Sequence, residues 1–242
     1  MNLIFTMAGK YTRFRLFGNR IPKYLLPLGS ETVLAEVLKN YIQLKTEQRI
    51  FLIANRDDQI FFPIVRSIME KYGIDRKALL YIDETPSQLS TALTVSDFLP
   101  RNQQEEPIAF TNIDTILFGR QRFFDELNKL GFQEAILDTF FGDSNRYSYV
   151  RVSEKKQVLD IVDYNVISNL ACSGLYGFGS FSKMEKIAKD LVKVDGAANF
   201  TSLYKAFVCS GLKVKAHHND DANKTIVLGT PEEYLINIHR FR

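Results

Sequence analysis

Along the first half of the chain, apolar residues fall into short blocks that alternate between two spacings. Residues 3–5, 49–54 (RIFLIA), 79–82 and 107–111 (PIAFT) are brief continuous runs, the pattern of strands buried on both faces. Between them the spacing becomes helical: Val33, Leu34, Val37, Leu38, Tyr41 and Ile42 fall on one face, so this helix lies on a sheet. Ser30 and Glu31 read as its start, a capping hydroxyl followed by an acid at the positive end of the helix dipole. A second helix is expected from Asp57-Asp58 to about Tyr72, closed by Gly73, and Ser87 is placed to cap a third. This alternation predicts a parallel, doubly wound sheet whose strand ends line a ligand crevice. Gly9, Asp83-Glu84 and Asp114 each follow a strand, so they should converge on one edge.

The pattern then changes. Residues 134–140, 147–152 and 157–162 read as strands joined by polar turns, which predicts an antiparallel extension. A further strand is expected over 172–178, helices over 181–192 and 200–210, and short strands over 213–216 and 225–228. Thr230-Pro231-Glu232-Glu233 begins a last helix, with a Thr cap, Pro in the first turn and then acids. The fold class is therefore α/β, a doubly wound, mostly parallel mixed sheet with an antiparallel extension. No repeat, linker or low-complexity tract interrupts residues 1–242, which are expected to form one domain.

A hydrophobic fraction of 45% with 24% charged residues is ordinary for a soluble globular protein, and a net charge of +3 gives no reason to expect nucleic acid as a partner. The apolar run at the N-terminus stops at Gly9-Lys10, too short for a signal peptide or a membrane span, so a cytoplasmic protein without a membrane partner is expected. Cys172 and Cys209 lack metal-like spacing and read as small buried hydrophobes in a reducing compartment.

The first strand feeds a glycine-containing loop with Lys10, Arg13, Arg15, Arg20 and Lys23, a composition that suits a phosphate chain. Asp114 follows a strand and could hold Mg²⁺ against a polyphosphate; an Asp there equally suits a turn or a helix cap. Asp163, at another strand end, is placed either to reach a substrate hydroxyl or to form a surface turn. His217 and His218, adjacent on a strand, would face opposite ways, so HHNDDANK reads as a polar turn more readily than as a zinc site. No nucleophile-and-base constellation stands out.

Taken together, Ala8-Gly9-Lys10-Tyr11-Thr12-Arg13-Phe14, Pro22-Lys23-Tyr24-Leu25, residues 84–93, Asn112-Ile113-Asp114, CSGLYGF at 172–178 and LGTPEE at 228–233 resemble, in order, the motifs of the sugar-phosphate nucleotidyltransferases and their phosphocholine-type cytidylyltransferase relatives. The resemblance implies condensation of a nucleoside triphosphate with a phosphomonoester, releasing pyrophosphate, in a role such as surface polysaccharide synthesis. It places Met7, Ala8, Gly9, Lys10, Thr12 and Gln88 at the nucleoside, Arg13 at the β/γ-phosphates and Lys23 at the α-phosphate. It places Asp114 on Mg²⁺ with Asp220 or Asp221 as a second ligand, and Asp163 and Gly174 at the acceptor. A homo-oligomer is compatible with it.

Three positions depart from the pattern. Tyr11 replaces a loop glycine, Tyr164 replaces a lysine that would meet the acceptor phosphate, and Val227 replaces a metal carboxylate. A GT-A-like glycosyltransferase and a catalytically degenerate nucleotide-binding relative stand as alternatives.

Overall fold

The computed structural model describes residues 1–18, 20–219 and 224–241. The first strand, β1 (Asn2–Met7), leads through a short helix, α1 (Thr12–Leu16), to a small hairpin, β2 (Pro27–Leu28) and β3 (Glu31–Thr32). Helix α2 (Val33–Ile42), β4 (Arg49–Asn55), α3 (Phe62–Lys71), β5 (Leu79–Ile82), α4 (Gln88–Leu93), α5 (Arg101–Gln104) and β6 (Ile108–Asn112) complete the alternating half. Then come β7 (Thr115–Leu117), α6 (Gln121–Leu127), β8 (Ala135–Phe141), β9 (Ser148–Val152), β10 (Val158–Asp163) and β11 (Leu170–Phe178). The chain closes with α7 (Phe181–Val194), α8 (Phe200–Cys209), β12 (Val214–His218), β13 (Thr225–Val227) and α9 (Pro231–Asn237).

Strands β5, β4, β1 and β6 lie side by side and parallel, at one end of a nine-stranded sheet. β1 is buried along its whole length, with Leu3, Phe5 and Met7 on one face and Ile4 on the other. The odd face packs against α2, α3 and α6 through residues such as Leu38, Val65 and Phe124. The even face packs against α4, α7 and α8 through Leu89, Met184 and Phe207. Helices on both faces explain why the central strands are continuous apolar runs.

Beyond β6 the sheet turns antiparallel. β11 pairs with β6 only from Leu175 to Phe178, and on the same edge its other end meets β9 through Ala171 and Tyr149. Its opposite edge pairs with β8 at Leu170–Cys172 and again at Tyr176–Phe178, with the register shifting between Cys172 and Tyr176. The β6-side edge of residues 172–174 is thus given up by both β6 and β9, and the sheet opens there. Gly174 sits in this gap with φ of 87°, and a Cβ on it would lie 2.4 Å from Asn112 Nδ2, so only glycine fits.

Several expectations are corrected. The α2 cap is Thr32, whose side chain accepts from Ala35 N–H, because Ser30-Glu31 is taken up by the β2–β3 hairpin. Asn55 rather than Asp57 caps the turn that leads into α3, and Asp58 is buried. The basic loop contains α1, and α6 and β7 occupy a stretch with no earlier assignment. β8 pairs with β11 and, in parallel, with β12 rather than with β9. Cys209 is exposed, although Cys172 is buried as expected. His217 and His218 close β12 rather than forming a turn.

His217 belongs to a buried ionic group. Asp138, fully buried, accepts from Arg120 Nε at 2.9 Å and lies 2.7 Å from His217 Nδ1. Desolvation pushes the Asp138 carboxyl up, but the Arg120 guanidinium and then His217 outweigh it and hold the group below its ordinary range. Arg120 also donates to the Phe118 and Lys224 carbonyls and to Thr225 Oγ1, fastening the β7–β13 ribbon to β8. That ribbon carries Leu228, whose N–H donates to the Asp114 carbonyl at 2.7 Å. Replacing Arg120 with Met leaves a buried carboxylate with one partner fewer, and should lower stability by about 3 kcal/mol in urea unfolding at neutral pH.

Candidate active site

The C-terminal ends of β1 and β6 and the turn before α4 enclose a cavity of about 400 Å³, within the range of small-ligand sites. Met7, Ala8, Gly9, Lys10, Lys23, Gln88 and Asp114 line it, so the structure brings these residues together. Glu84 lines it too and pairs with Lys10 at 2.8 Å, whereas Asp83 faces outward to Arg56. Gln88 Nε2 donates to Thr6 Oγ1 at 2.7 Å and to Asn112 Oδ1 at 2.5 Å, bridging the ends of β1 and β6. Ser87 fixes the start of α4 by accepting from Ser90 N–H, which sets where Gln88 can reach.

A second cavity of about 190 Å³ fills the opening beside β11. Gly174, Cys172 and Ser173 form one wall, with Ser148, Arg146, Arg13 and Glu233 on others. Asn112 and Asp114 line both cavities, so these two residues form the partition between them. Lys23 Nζ contacts Asp114 Oδ2 at 2.5 Å, and both side chains are largely shielded from solvent. Pro22 starts the short turn over Lys23–Leu25, whose buried Tyr24 and Leu25 anchor the chain while Lys23 points to the site.

Other predicted residues stand elsewhere. Arg13, on α1, lines the second cavity rather than the first, and Thr12 is exposed and lines neither. Asp163 accepts from Ser148 Oγ and from Asn199 Nδ2 at 2.8 Å, so it stands one hydrogen bond behind the lining. Asp220 and Asp221 lie outside the described residues.

Tyr11 adopts φ of 40°, in the left-handed region that glycine occupies most readily. Its hydroxyl turns away to donate to Asp58 Oδ1 at 2.5 Å, beside Tyr24, which donates to Oδ2 at 3.0 Å. Arg15 lies over the Tyr11 ring, 4.7 Å from its centre. Sequence reasoning passed over Asp58, Tyr24, Arg146 and Glu233. Glu233 reads as an ordinary helix-start acid, and it does complete a capping box with Thr230. It also accepts from the Tyr147 hydroxyl at 3.0 Å and faces the cavity. Gly229 lets α9 approach: a Cβ there would lie 3.3 Å from Asp114 Oδ2 and 3.5 Å from Glu233 Oε2.

For a metal, Asp114 is the carboxylate shared by both cavities. Both oxygens of Glu233 already accept hydrogen bonds, from Tyr147 and from the Thr230 N–H. Among the described residues no three His, Cys, Asp or Glu side chains cluster as a metal site. This donor set fits an ion such as Mg²⁺ that takes one protein carboxylate and draws its remaining ligands from phosphate and water.

No family model matches the sequence, and no curated protein matches it either. The architecture, a mostly parallel mixed sheet with an antiparallel part and helices on both faces, is shared with solved structures over nearly the whole chain. Among solved structures the chain is similar to a nucleoside-diphosphate-sugar pyrophosphorylase from Vibrio cholerae RC9 (TM-score 0.79, 21% identity, covering 98% of this chain and 99% of that one). It is also similar to a Bacillus anthracis protein described as a glucose-1-phosphate thymidylyltransferase (TM-score 0.81, 16% identity, 100% and 94% covered). A third is a UDP-glucose pyrophosphorylase complexed with UDP-glucose (TM-score 0.77, 15% identity, 99% and 97% covered).

Burial, and next the bond to Asp58, push the Tyr11 phenol up to about 12, and burial raises Tyr24 and Tyr147 as well. In the unfolded chain these phenols ionise near about 10. Stability should therefore be intact below that pH and fall as pH rises from about 10 towards 12, where only the unfolded chain releases the protons. Urea midpoints taken across that interval should decline, and less steeply in Tyr11→Phe.

Proposed function

We propose that the chain is a nucleotidyltransferase that joins a nucleoside triphosphate to a phosphomonoester. One observation carries this reading: two cavities meet at a partition made of Asn112 and Asp114, with Lys23 seated on the Asp114 carboxylate. The first cavity receives the nucleoside, with the backbone of residues 7–10 on one side and Gln88 on the other. The second receives the acceptor. An acceptor phosphate oxygen attacks the α-phosphorus, the bond from that phosphorus to the bridging oxygen of the β-phosphate breaks, and pyrophosphate departs with the electron pair.

Lys23 orients the α-phosphate and neutralises charge that builds on it, while Arg13, which lines the second cavity, faces the acceptor's phosphate rather than the departing pyrophosphate. Asp114 would hold a magnesium ion, which would supply charge neutralisation across the phosphates. Because the acceptor's own phosphate is the nucleophile, the reaction needs no activated serine or cysteine. Cys172, whose thiol burial pushes well up, stays protonated beside the second cavity. The product, an activated nucleotide conjugate, suits the assembly of surface polysaccharide.

A glycosyltransferase would hold a nucleotide sugar through paired aspartates, and the partition offers Asn112 in place of the first. The decisive measurement is pyrophosphate release from each nucleoside triphosphate with Mg²⁺ and a panel of phosphomonoesters. Turnover should appear with at least one pair, and Asp114→Asn should lower kcat by about 10²-fold or more while the chain stays folded. Transfer from a nucleotide sugar without pyrophosphate would replace this reading with the glycosyltransferase one. Nucleotide binding with no turnover across the panel would leave a degenerate relative.

A further inference from the structure

The acceptor's chemistry can be read further from the ground around the second cavity. Arg13 and Arg146 are the cations that line it. Arg146 shares the acceptor side with Arg13. It stands in the turn between β8 and β9 and is half-exposed. Its Nη1 lies 3.5 Å from Thr230 Oγ1 and 3.8 Å from Glu232 Oε2. Both contacts are long and solvated, so a dianionic phosphate can displace them at small cost. At the threshold where cavity and groove meet, the two arginines face one carboxylate, Glu232, a local positive charge that suits such a phosphate, while Asp114 and Glu233 line the cavity itself.

At position 164, where the resembled pattern has its lysine, Tyr164 is 65% exposed. It lines an adjoining groove of about 500 Å³, together with Leu16 and Phe17, which are 81% and 68% exposed. Arg13 and Arg146 line the groove as well as the cavity, so an anionic head held at the arginines would have its body over apolar side chains. Asn145, Thr230 and Glu232 on the same groove could meet a hydroxyl, but its most exposed area is that of Leu16, Phe17 and the Tyr164 ring, which supply apolar contact and no directional partner on the ring face.

Building on the nucleotidyltransferase reading, we propose that Arg146 binds the acceptor phosphate and that the acceptor is a phosphomonoester with an apolar or aromatic substituent seated in this groove. The charge pair at the threshold favours such a small amphiphile over a second copy of the chain, which would bring a like-charged threshold of its own.

Calorimetry on the full chain with phenyl phosphate, inorganic phosphate and glucose 1-phosphate, in the presence of a non-hydrolysable nucleoside triphosphate analogue, tests this directly. Phenyl phosphate should bind about 10-fold more tightly than glucose 1-phosphate, the worth of a partly buried ring. Arg146→Gln should weaken phenyl phosphate and inorganic phosphate by roughly 10–100-fold while the analogue's affinity holds within about twofold. Tyr164→Ser should weaken phenyl phosphate alone. A preference for glucose 1-phosphate, an Arg146→Gln variant that binds phosphate normally, or concentration-dependent dimerisation that blocks the groove would each overturn the proposal. Pyrophosphate release with sugar phosphates but not with aryl or alkyl phosphates would sink it and leave the nucleotidyltransferase reading standing. Phenyl phosphate bound through Arg146 with no pyrophosphate from any pair would do the reverse.

Discussion

One constraint orders the active region: the edge of β11 serves two strands that cannot both follow it to the end. β6 holds that edge at Leu175–Phe178 and β9 takes it up at Ala171, so the intervening backbone faces a cavity instead of a neighbour. Backbone groups released from a ladder must be satisfied by something else, and a cavity beside them is a natural seat for a polar ligand. Gly174 makes the opening feasible, since its conformation and its approach to Asn112 both forbid a side chain. The same opening brings the tip of β6, with Asn112 and Asp114, between the two cavities.

Below this opening lies a rigid support. The Arg120–Asp138–His217 group fixes the β7–β13 ribbon against β8 and β12, and the ribbon in turn fixes the Asp114 backbone through Leu228. Buried charge is costly unless fully paired, so its presence directly beneath a candidate site is consistent with geometry held at the expense of stability. Asp114 itself is left partly shielded, with Lys23 as its nearest cation. A carboxylate and an ammonium shielded in this way act more strongly on any nearby charge than they would in open water.

Much of the fold was legible in the sequence because the central strands are buried on both faces and the helices show one apolar face each. The convergence of Gly9, Asp83-Glu84 and Asp114 followed from strand ends alone for every residue but Asp83, which faces outward to Arg56. What escaped was set by tertiary context. Ser30 looks like a cap, yet the chain there forms a two-residue hairpin, and Thr32 takes the role. The partners of β8 depend on contacts distant in sequence, which no local pattern encodes. Asp58 looked like a helix-start acid, and its bonds to Tyr11 and Tyr24 are visible only once the first loop is folded over β4. Arg146 is a lone cation in a polar turn, indistinguishable by sequence from a solvated one.

The bond from Tyr11 to Asp58 has a consequence for how the first cavity is entered. A glycine-rich phosphate loop is mobile when empty, and ordering it draws on the free energy of whatever binds. Here a bulky residue in a glycine conformation is tied by its hydroxyl to a buried carboxylate and overlaid by Arg15. The entrance is therefore set before any guest arrives. Recognition should lose less conformational entropy, while the loop has correspondingly little freedom to reshape itself around different bases.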